Sequence, residues 1–374
     1  MKRKSCRDED MRVKLEDVCE RGSSNLKQSD VIDKTGEYSI YGAAGYLGKV
    51  DFYHQEKPYV AVVKDGAGIG RTTLHPGKSS VIGTMQYLLP KENVLPEYLW
   101  YVVRYMHLEK YFTGATIPHI YFKDYKNEEF NLDTLERQTE IVSILKKVEN
   151  IIEFRQQELQ KLDDLIKARF VELFGDPVQN PFQWNTKPLL EMGYCKNGMN
   201  FHTGDSGIEI HCLGVGDFKD YSVIDDTERL PTISLNEIPS EENMLQDGDI
   251  VFVRSNGNKA LVGRCLVVYP RSTPTTYSGF CIRYRLTSSD VDTAYLLRVL
   301  KSDSMRKKMV GRGANIQNLN QQILASLDIP IPPMAMQEQF ATFVAQVDKS
   351  KVAVQKALDE AQLLFDSLMQ KYFG

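Results

Sequence analysis

Two glycine-containing segments carry cationic and hydroxyl side chains, to which the second adds amides. Each segment directly follows an apolar run typical of a buried strand, at 59–63 or at 249–253. Lys and Arg side chains suit phosphate groups, whereas Asn, Gln and Arg side chains can pair with the edges of bases. The glycines would let the backbone approach a groove closely. We therefore predict DNA contacts from Lys64, Asp65, Arg71, Thr72 and Thr73 in the first segment, and from Arg254, Ser255, Asn256, Asn258, Lys259 and Arg264 in the second.

A second pair of loops, beginning near Gly114 and Gly311, supplies further polar side chains. Asn and Gln suit adenine, and Arg suits guanine. The alternative is that all four loops are surface turns with structural glycines. The added candidates are His119 and Tyr121 in one loop, and Arg312, Asn315, Gln317 and Asn318 in the other.

Patterns typical of common enzymes are incomplete in this sequence. The glycines of residues 66–70 lack the spacing of a dinucleotide-binding loop, and residues 77–79 resemble the end of a P-loop but have Thr72 where its first Gly belongs. Cys195, His202, His211 and Cys212 match no compact zinc-site spacing. We predict no metal site and no cofactor in this chain.

The long segment 135–174 positions these loops. It contains no Pro or Gly, and Gly175-Asp176-Pro177 follows it, so it is predicted to be one helix of about 60 Å. Alternating steps of four and three residues form one apolar seam, which is typical of a coiled coil. The seam comprises Ile141, Leu145, Val148, Ile152, Leu159, Leu162, Ile166 and Leu173, widened by Ile144, Ile151 and Leu165.

The same segment occurs again at the end of the chain. A shift of 199 residues aligns 114–175 with 313–374 without a gap, and Gln138 matches Gln337. The second seam comprises Phe340, Val344, Val347, Val354, Leu358, Ala361, Phe365, Leu368 and Tyr372. Two seams of equal length can bury each other, so we predict an antiparallel pair. Parallel pairing would need a connection as long as the helix, which the second lobe could supply.

The fold class predicted is α+β: two similar mixed α/β lobes separated by two long helices that form an antiparallel coiled coil, as a pseudo-two-fold repeat. We expect a disordered extension at 1–10, a first lobe at 11–133, a first helix at 134–177, a second lobe at 178–333 and a second helix at 334–374. The lobes differ in sequence more than the helices do, which suggests one task performed on two targets.

Charge and composition limit the class of protein. The net charge is −4, but residues 254–312 contain twelve Lys/Arg against three Asp, and residues 225–249 contain eight acids against one Arg. This asymmetry predicts a basic face for a polyanion and an acidic face elsewhere, or two solvated surfaces. Six cysteines without a CxxC pair suggest reduced thiols. We found neither a signal peptide nor a membrane span, so we expect a cytoplasmic protein.

This arrangement resembles the specificity subunit of type I restriction-modification systems. The most characteristic residues are the block Ile329-Pro330-Ile331-Pro332-Pro333 followed by Gln337, and the stretch LDDLIKARFVELFGDP at 162–177. The resemblance covers nearly the whole chain from Met11. The first lobe departs from it, because Asn131-Leu132-Asp133-Thr134 stands where the proline-rich block is expected.

The resemblance implies two target-recognition domains that each recognise one half of a bipartite double-stranded DNA site. The helices would set the spacer between the halves and dock two methyltransferase subunits, which would bind S-adenosylmethionine and methylate adenine N6. Motor-nuclease restriction subunits, with ATP and Mg, would add cleavage. This chain would be non-catalytic: its one Pro-Pro pair, at 332–333, lacks the flanking residues of an adenine methyltransferase motif.

Two alternatives come from other classes of protein. The chain could be a coiled-coil scaffold whose lobes bind proteins, in which case charge reversal at Arg254, Lys259 and Arg312 would leave assembly and activity unchanged. It could also be a self-contained DNA-modifying enzyme, which methyl transfer by the isolated chain would support.

Overall fold

The computed structural model describes residues 11–114, 118–201, 204–218, 222–258, 260–310 and 318–374. The extension predicted at 1–10 lies outside these ranges. The described chain divides into two compact units: residues up to Gln157 together with Val354–Gly374, and Glu158–Ala353. Each unit therefore contains one lobe and part of both long helices.

The first unit contains nine strands and three short helices before the first long helix, within the described residues. The helices are α1 (Leu15–Val18), α2 (Pro96–Tyr105), α3 (Phe122–Tyr125) and the long α4 (Leu135–Phe174), which continues into the second unit. The strands are β1 (Met11–Lys14), β2 (Cys19–Ser23), β3 (Tyr38–Gly42), β4 (Gly45–Val50), β5 (Tyr59–Val63), β6 (Thr72–His75), β7 (Ser79–Val81), β8 (Met85–Pro90) and β9 (Glu129–Leu132).

The strand predicted at 59–63 lies inside the first unit's four-stranded sheet, whose order is β2-β8-β5-β6. All five residues of β5 are buried because both faces of this sheet are covered. Val60 and Val62 pack in a cluster with α2 and α4, whereas Ala61 and Val63 pack in a second cluster with Val81 of β7. The remaining strands form a three-stranded sheet, β4-β3-β7, and the pair β1-β9.

The second unit repeats this plan with ten strands and three short helices among its described residues. The helices are α5 (Thr293–Lys301), α6 (Asp303–Val310), α7 (Gln321–Ala325) and the long α8 (Met334–Phe373), which continues into the first unit. The strands are β10 (Thr186–Pro188), β11 (Gly193–Asn197), β12 (Ile208–Leu213), β13 (Val223–Ile224), β14 (Thr232–Leu235), β15 (Asp249–Val253), β16 (Cys265–Val268), β17 (Thr275–Tyr277), β18 (Cys281–Leu286) and β19 (Asp328–Pro330).

Strand pairing shows that the two lobes share one frame. The second unit has a five-stranded sheet in the order β11-β18-β15-β16-β13, a three-stranded sheet β14-β12-β17 and the pair β10-β19. In the first lobe Arg12 pairs with Asn131, and in the second Thr186 pairs with Pro330. The 199-residue shift maps Asn131 onto Pro330, so the duplication extends to the register of the sheets.

One buried glutamine per lobe fixes the start of each long helix. Gln138 and Gln337 are fully buried. The Oε1 of Gln138 accepts a hydrogen bond from the backbone N of Leu95 at 2.8 Å, and the Oε1 of Gln337 accepts one from the backbone N of Asp292 at 2.9 Å. Each Nε2 donates to two backbone carbonyls, of Asn93 and Asp133 in one lobe and of Asp290 and Pro332 in the other. Each amide thereby uses three of its four hydrogen-bonding sites and ties the helix to its lobe.

The two long helices pack against each other within each unit, and their order confirms antiparallel pairing. In the first unit Ile141 and Leu145 of α4 share a cluster with Phe365 and Phe373 of α8. In the second unit the opposite ends meet, because the other end of α4, with Ile166, Phe170 and Phe174, clusters with Phe340 and Val347 of α8.

The wider seam predicted for α4 is partly wrong. Ile151 and Leu165 are both 47% exposed, and neighbouring Phe154 is 66% exposed. These side chains project from the helix on a side that neither α8 nor a lobe covers.

No described helix combines the length and apolar character of a membrane-spanning segment.

The predicted separation into a basic face and an acidic face is also partly wrong. Arg285, from the basic run, makes two hydrogen bonds of 2.7 Å to the carboxylate of Asp249, from the acidic run. Arg283 is fully buried beside the same carboxylate, and Arg271 pairs with Asp247. The two runs therefore neutralise each other in part, because β15 and β18 are adjacent strands.

Candidate nucleic-acid interface

The segment that follows β5 meets the loop before α3, and we call this place the first junction. The backbone N of Ile120 donates to the carbonyl of Lys64 at 3.0 Å, and Gly66 donates to Pro118 at 3.1 Å. Gly66 has a φ of 83°, which favours glycine. The two loops predicted separately from the sequence thus form one surface.

The second junction has the same backbone pattern. The backbone N of Leu319 donates to the carbonyl of Arg254 at 2.8 Å, and Ser255 forms an antiparallel bridge with Asn318. The corresponding bridge of the first junction joins Asp65 and His119. The 199-residue shift maps His119 onto Asn318, so equivalent positions occupy equivalent places in both lobes.

Side chains of the first junction form a small charged network. The Nδ1 of His119 lies 2.6 Å from Oδ1 of Asp65, and Nζ of Lys64 lies 3.3 Å from Oδ2 of the same carboxylate. Tyr121 is 50% exposed and its ring centroid lies 6.4 Å from that of His119. Asp65 therefore holds a histidine and a lysine beside an exposed aromatic ring.

The prediction that Thr72 and Thr73 belong to the loop is wrong, because both lie in β6. Thr72 pairs with Val62, which places its side chain on the face that packs against α2. The hydroxyl of Thr73 lies 2.8 Å from Nε2 of His75. Burial lowers the pKa of His75 to about 4, so its imidazole is neutral at neutral pH. Arg71 remains exposed, and its guanidinium donates to the carbonyl of Ala43.

Side chains of the second junction form turns within the loop itself. Oδ1 of Asn256 accepts from the backbone N of Asn258 at 2.8 Å, and Oδ1 of Asn258 accepts from Ala260 at 3.0 Å. These are Asx turns, which hold the loop in shape. Nη1 of Arg254 donates to the carbonyl of Gly279 at 3.3 Å. The backbone of Arg264 pairs with Val253, as Arg71 pairs with Val63 in the first lobe.

Four predicted residues of the second lobe, Lys259, Arg312, Asn315 and Gln317, lie outside the described residues. Residues 115–117 of the first lobe and His202 of the rejected zinc set also lie outside them. Among the described residues, no three His, Cys, Asp or Glu side chains are grouped so that they could hold a metal ion.

Polar side chains that were not predicted from the sequence lie beside both junctions. Arg21 of β2 and Lys123 of α3 line a pocket together with Lys64. In the second lobe Nε2 of Gln321 lies 3.4 Å from Oδ1 of Asn197. Lys123 and Gln321 follow the candidate loops within a few residues, but Arg21 and Asn197 belong to strands whose pairing no local pattern indicates.

A protein-family model described as the type I restriction modification DNA specificity domain matches residues 8–164 and 208–361. The two matches take in most of the chain. The chain belongs to this family. The two matches cover the first lobe, most of the second lobe and most of both long helices, with one match to each half of the duplication.

Curated relatives in this family match a shorter part of the chain. The chain is 28% identical over 187 residues to the StySPI specificity subunit of Salmonella potsdam, an alignment covering 47% of this chain and 39% of that protein. It is 30% identical over 132 residues to the EcoKI specificity subunit of Escherichia coli K12, covering 34% and 28%. The matched part therefore spans less than half the length of these relatives.

Solved structures resemble the chain over almost its full length. The type I restriction-modification S subunit of M. genitalium superposes with a TM-score of 0.58 at 15% identity, covering 97% of this chain and 96% of that one. A chain from a structural study of complex assembly and conformational transition of the type I R-M system gives 0.54 at 14% identity, covering 97% of each. At this identity the likeness concerns the fold.

Proposed function

We propose that this chain is the DNA sequence-recognition subunit of a type I restriction-modification complex. Each lobe recognises one half of a bipartite double-stranded DNA site, and the chain itself is not catalytic. The main support is the family match to both halves of the duplication. Equivalent junctions with different side chains, His119 and Asp65 against Asn318 and Ser255, support two different half-sites.

The chemistry is assigned to partner subunits. Two methyltransferase subunits bind S-adenosylmethionine and methylate adenine N6, and motor-nuclease subunits use ATP and Mg for restriction. We assign no cofactor to this chain. The work of the chain is to place the methyltransferases on DNA, which requires cations for phosphates and polar groups for base edges.

Methylation-site sequencing of cells that carry this chain with its methyltransferase partner tests the proposal. We expect one bipartite motif with two fixed halves and a constant unread spacer. In a gel-shift assay on that motif, Arg254→Glu in the full complex should weaken specific binding about tenfold or more, because a cation at the second junction becomes an anion.

Arg229→Glu is the matched control, because Arg229 is an exposed arginine of the same lobe that pairs with Asp226 and belongs to neither candidate loop. It should bind like the wild type. A wild-type complex without sequence preference would refute the proposed function. Methyl transfer by the isolated chain would refute its non-catalytic part.

A repeated groove supports the docking of two equivalent partners. In the first unit the end of α2 and the last turns of α8 border a groove of about 740 Å³ that Met369 and Gln370 line. In the second unit the end of α5 and the last turns of α4 border a groove of about 340 Å³ that Phe170 and Val171 line. The 199-residue shift maps Phe170 onto Met369 and Val171 onto Gln370. We propose that one methyltransferase subunit docks at each groove.

Val171→Glu should remove one of the two docked methyltransferase subunits. Val171 is 51% exposed, so the folded chain tolerates the change, but a docked partner would have to bury a carboxylate where it now contacts an apolar side chain. Native mass spectrometry should detect a loss from two methyltransferase subunits per chain to one. Ile238→Glu, at a 72% exposed position of the same unit, should keep both. An unchanged stoichiometry in Val171→Glu would exclude this groove.

A further inference from the structure

A pocket of about 230 Å³ opens in the first lobe beside the first junction. Its walls come from the end of β2, the start of β8 and the N-terminal turn of α3. The polar side chains that line it include Arg21, Lys64, Gln86, Tyr121 and Lys123. We call it the corner pocket. Of these five polar residues, only Lys64 and Tyr121 were predicted as DNA contacts from the sequence.

Among the residues that the structure describes, cations from three separate parts of the chain line the corner pocket, and no acidic side chain does. Lys64 contacts Asp65, which lies outside the lining and is shared with His119. Nζ of Lys123 lies 5.4 Å from the ring centroid of Tyr121. Asp65 offsets the charge of Lys64, which leaves the charges of Arg21 and Lys123, so the site favours a group that carries negative charge or acceptor atoms.

Arg21 and Lys123 contribute little to holding the lobe together. Within the described part of the chain, neither forms an ion pair, and both side chains are exposed. Arg21 donates one long hydrogen bond of 3.4 Å to the hydroxyl of Ser23. A structural role would require acids or buried carbonyls as partners, as Lys126 of the same lobe has in Glu16 at 2.7 Å.

The same corner of the second lobe has different chemistry on the same frame. Strand register maps Ser23 of β2 onto Asn197 of β11, and the 199-residue shift maps Lys123 onto Gln322. Gln321, beside Gln322, contacts Asn197 at 3.4 Å. Gln322 therefore stands where the first lobe has Lys123, and Asn197 stands where it has Ser23. A difference confined to side chains at an equivalent corner is expected where two lobes contact different groups.

We propose that the corner pocket binds an acceptor-only group of DNA, a backbone phosphate or the O6/N7 edge of a guanine. This inference rests on the proposed function. Arg and Lys side chains donate to both groups, and phosphate neutralisation makes affinity depend on salt. The exposed ring of Tyr121 closes one side of the pocket, and Gln86, 5% exposed, forms part of its wall.

The test uses the full chain with its methyltransferase subunits, and a DNA duplex that contains the site at which the complex methylates. Arg21→Gln and Lys123→Gln each remove a charge while keeping most of the side chain. We expect each to weaken binding on the order of tenfold. If the group is a phosphate, the loss of affinity should be equal on all sequences. The magnitude of the slope of log K against log salt should then decrease by about one per substitution.

If the group is a guanine edge, the loss should be confined to duplexes that carry that guanine in the first half-site, which single-base variants of the site would reveal. Lys49→Gln is the control, because Lys49 is an exposed lysine of β4 in the same lobe, and it should bind like the wild type. A wild-type complex that prefers the site, with both pocket variants unchanged in affinity and slope, would overturn the pocket alone. A wild-type complex with no preference would overturn the proposed function and the pocket with it.

Discussion

Asp249→Asn should lower the free energy of unfolding of the second unit by about 3–5 kcal/mol. Asp249 is 1% exposed, and its carboxylate accepts two hydrogen bonds from Arg285 and one of 2.7 Å from the backbone N of Gln246. Nη1 of the fully buried Arg283 lies 3.9 Å from the same carboxylate. The amide would leave two arginines without their counter-charge, and uncompensated buried charge is the costliest result of breaking an ion pair.

This effect is measured by thermal or chemical unfolding of the full chain, monitored through a signal that comes from the second unit. Asp247→Asn is the matched control. Asp247 lies two residues before Asp249 and pairs with Arg271, and both of these side chains are exposed. It should cost under about 1 kcal/mol. Asp249→Asn as stable as this control would show that the buried cluster does not stabilise the unit.

Four residues inserted after Gln156 in α4, and four after Gln355 in α8, should lengthen the unread spacer of the recognised site. Gln156 and Gln355 are exposed positions related by the 199-residue shift. Each insertion adds about 6 Å of helix, which corresponds to one or two base pairs of DNA. Methylation-site sequencing should find both half-sites unchanged, because no residue of either junction is altered.

The same insertion in α4 alone is the control for the pairing of the helices. It displaces one apolar seam relative to the other, so clusters such as Ile141 with Phe365 could form only at the expense of Phe170 with Phe340. We expect this variant to lose stability and methylation. Altered half-sites, or an unchanged spacer in the double insertion, would refute the proposal that the helices set the spacer.

Sequence periodicity was sufficient to predict the helical frame. The pattern of apolar residues, with Gly175 and Pro177 after it, specified the limits of α4, and the 199-residue repeat specified α8. The periodicity is local, since a helix brings together residues three and four apart, and the repeat carries the same pattern to the second helix. The repeat also paired Gln138 with Gln337, and the structure shows why both positions need an amide.

Only the tertiary structure decided which charges are buried and which sides of the helices stay uncovered. The basic and acidic runs gave no sign that Arg285 and Asp249 would meet, because adjacency of β15 and β18 depends on the order of strands in the sheet. Ile151 has the same apolar character as Ile152 but is exposed, since only one side of α4 contacts α8 or a lobe.

The sequence by itself determined the duplication, the long helices and the loops at which polar residues gather. The tertiary structure decided that two loops join at each junction, and that Arg21 and Lys123 reach the same pocket as Lys64. The physical reason is range: helix periodicity and turn chemistry act over a few neighbouring residues, whereas a pocket is built by strand order and register among residues about forty to a hundred positions apart.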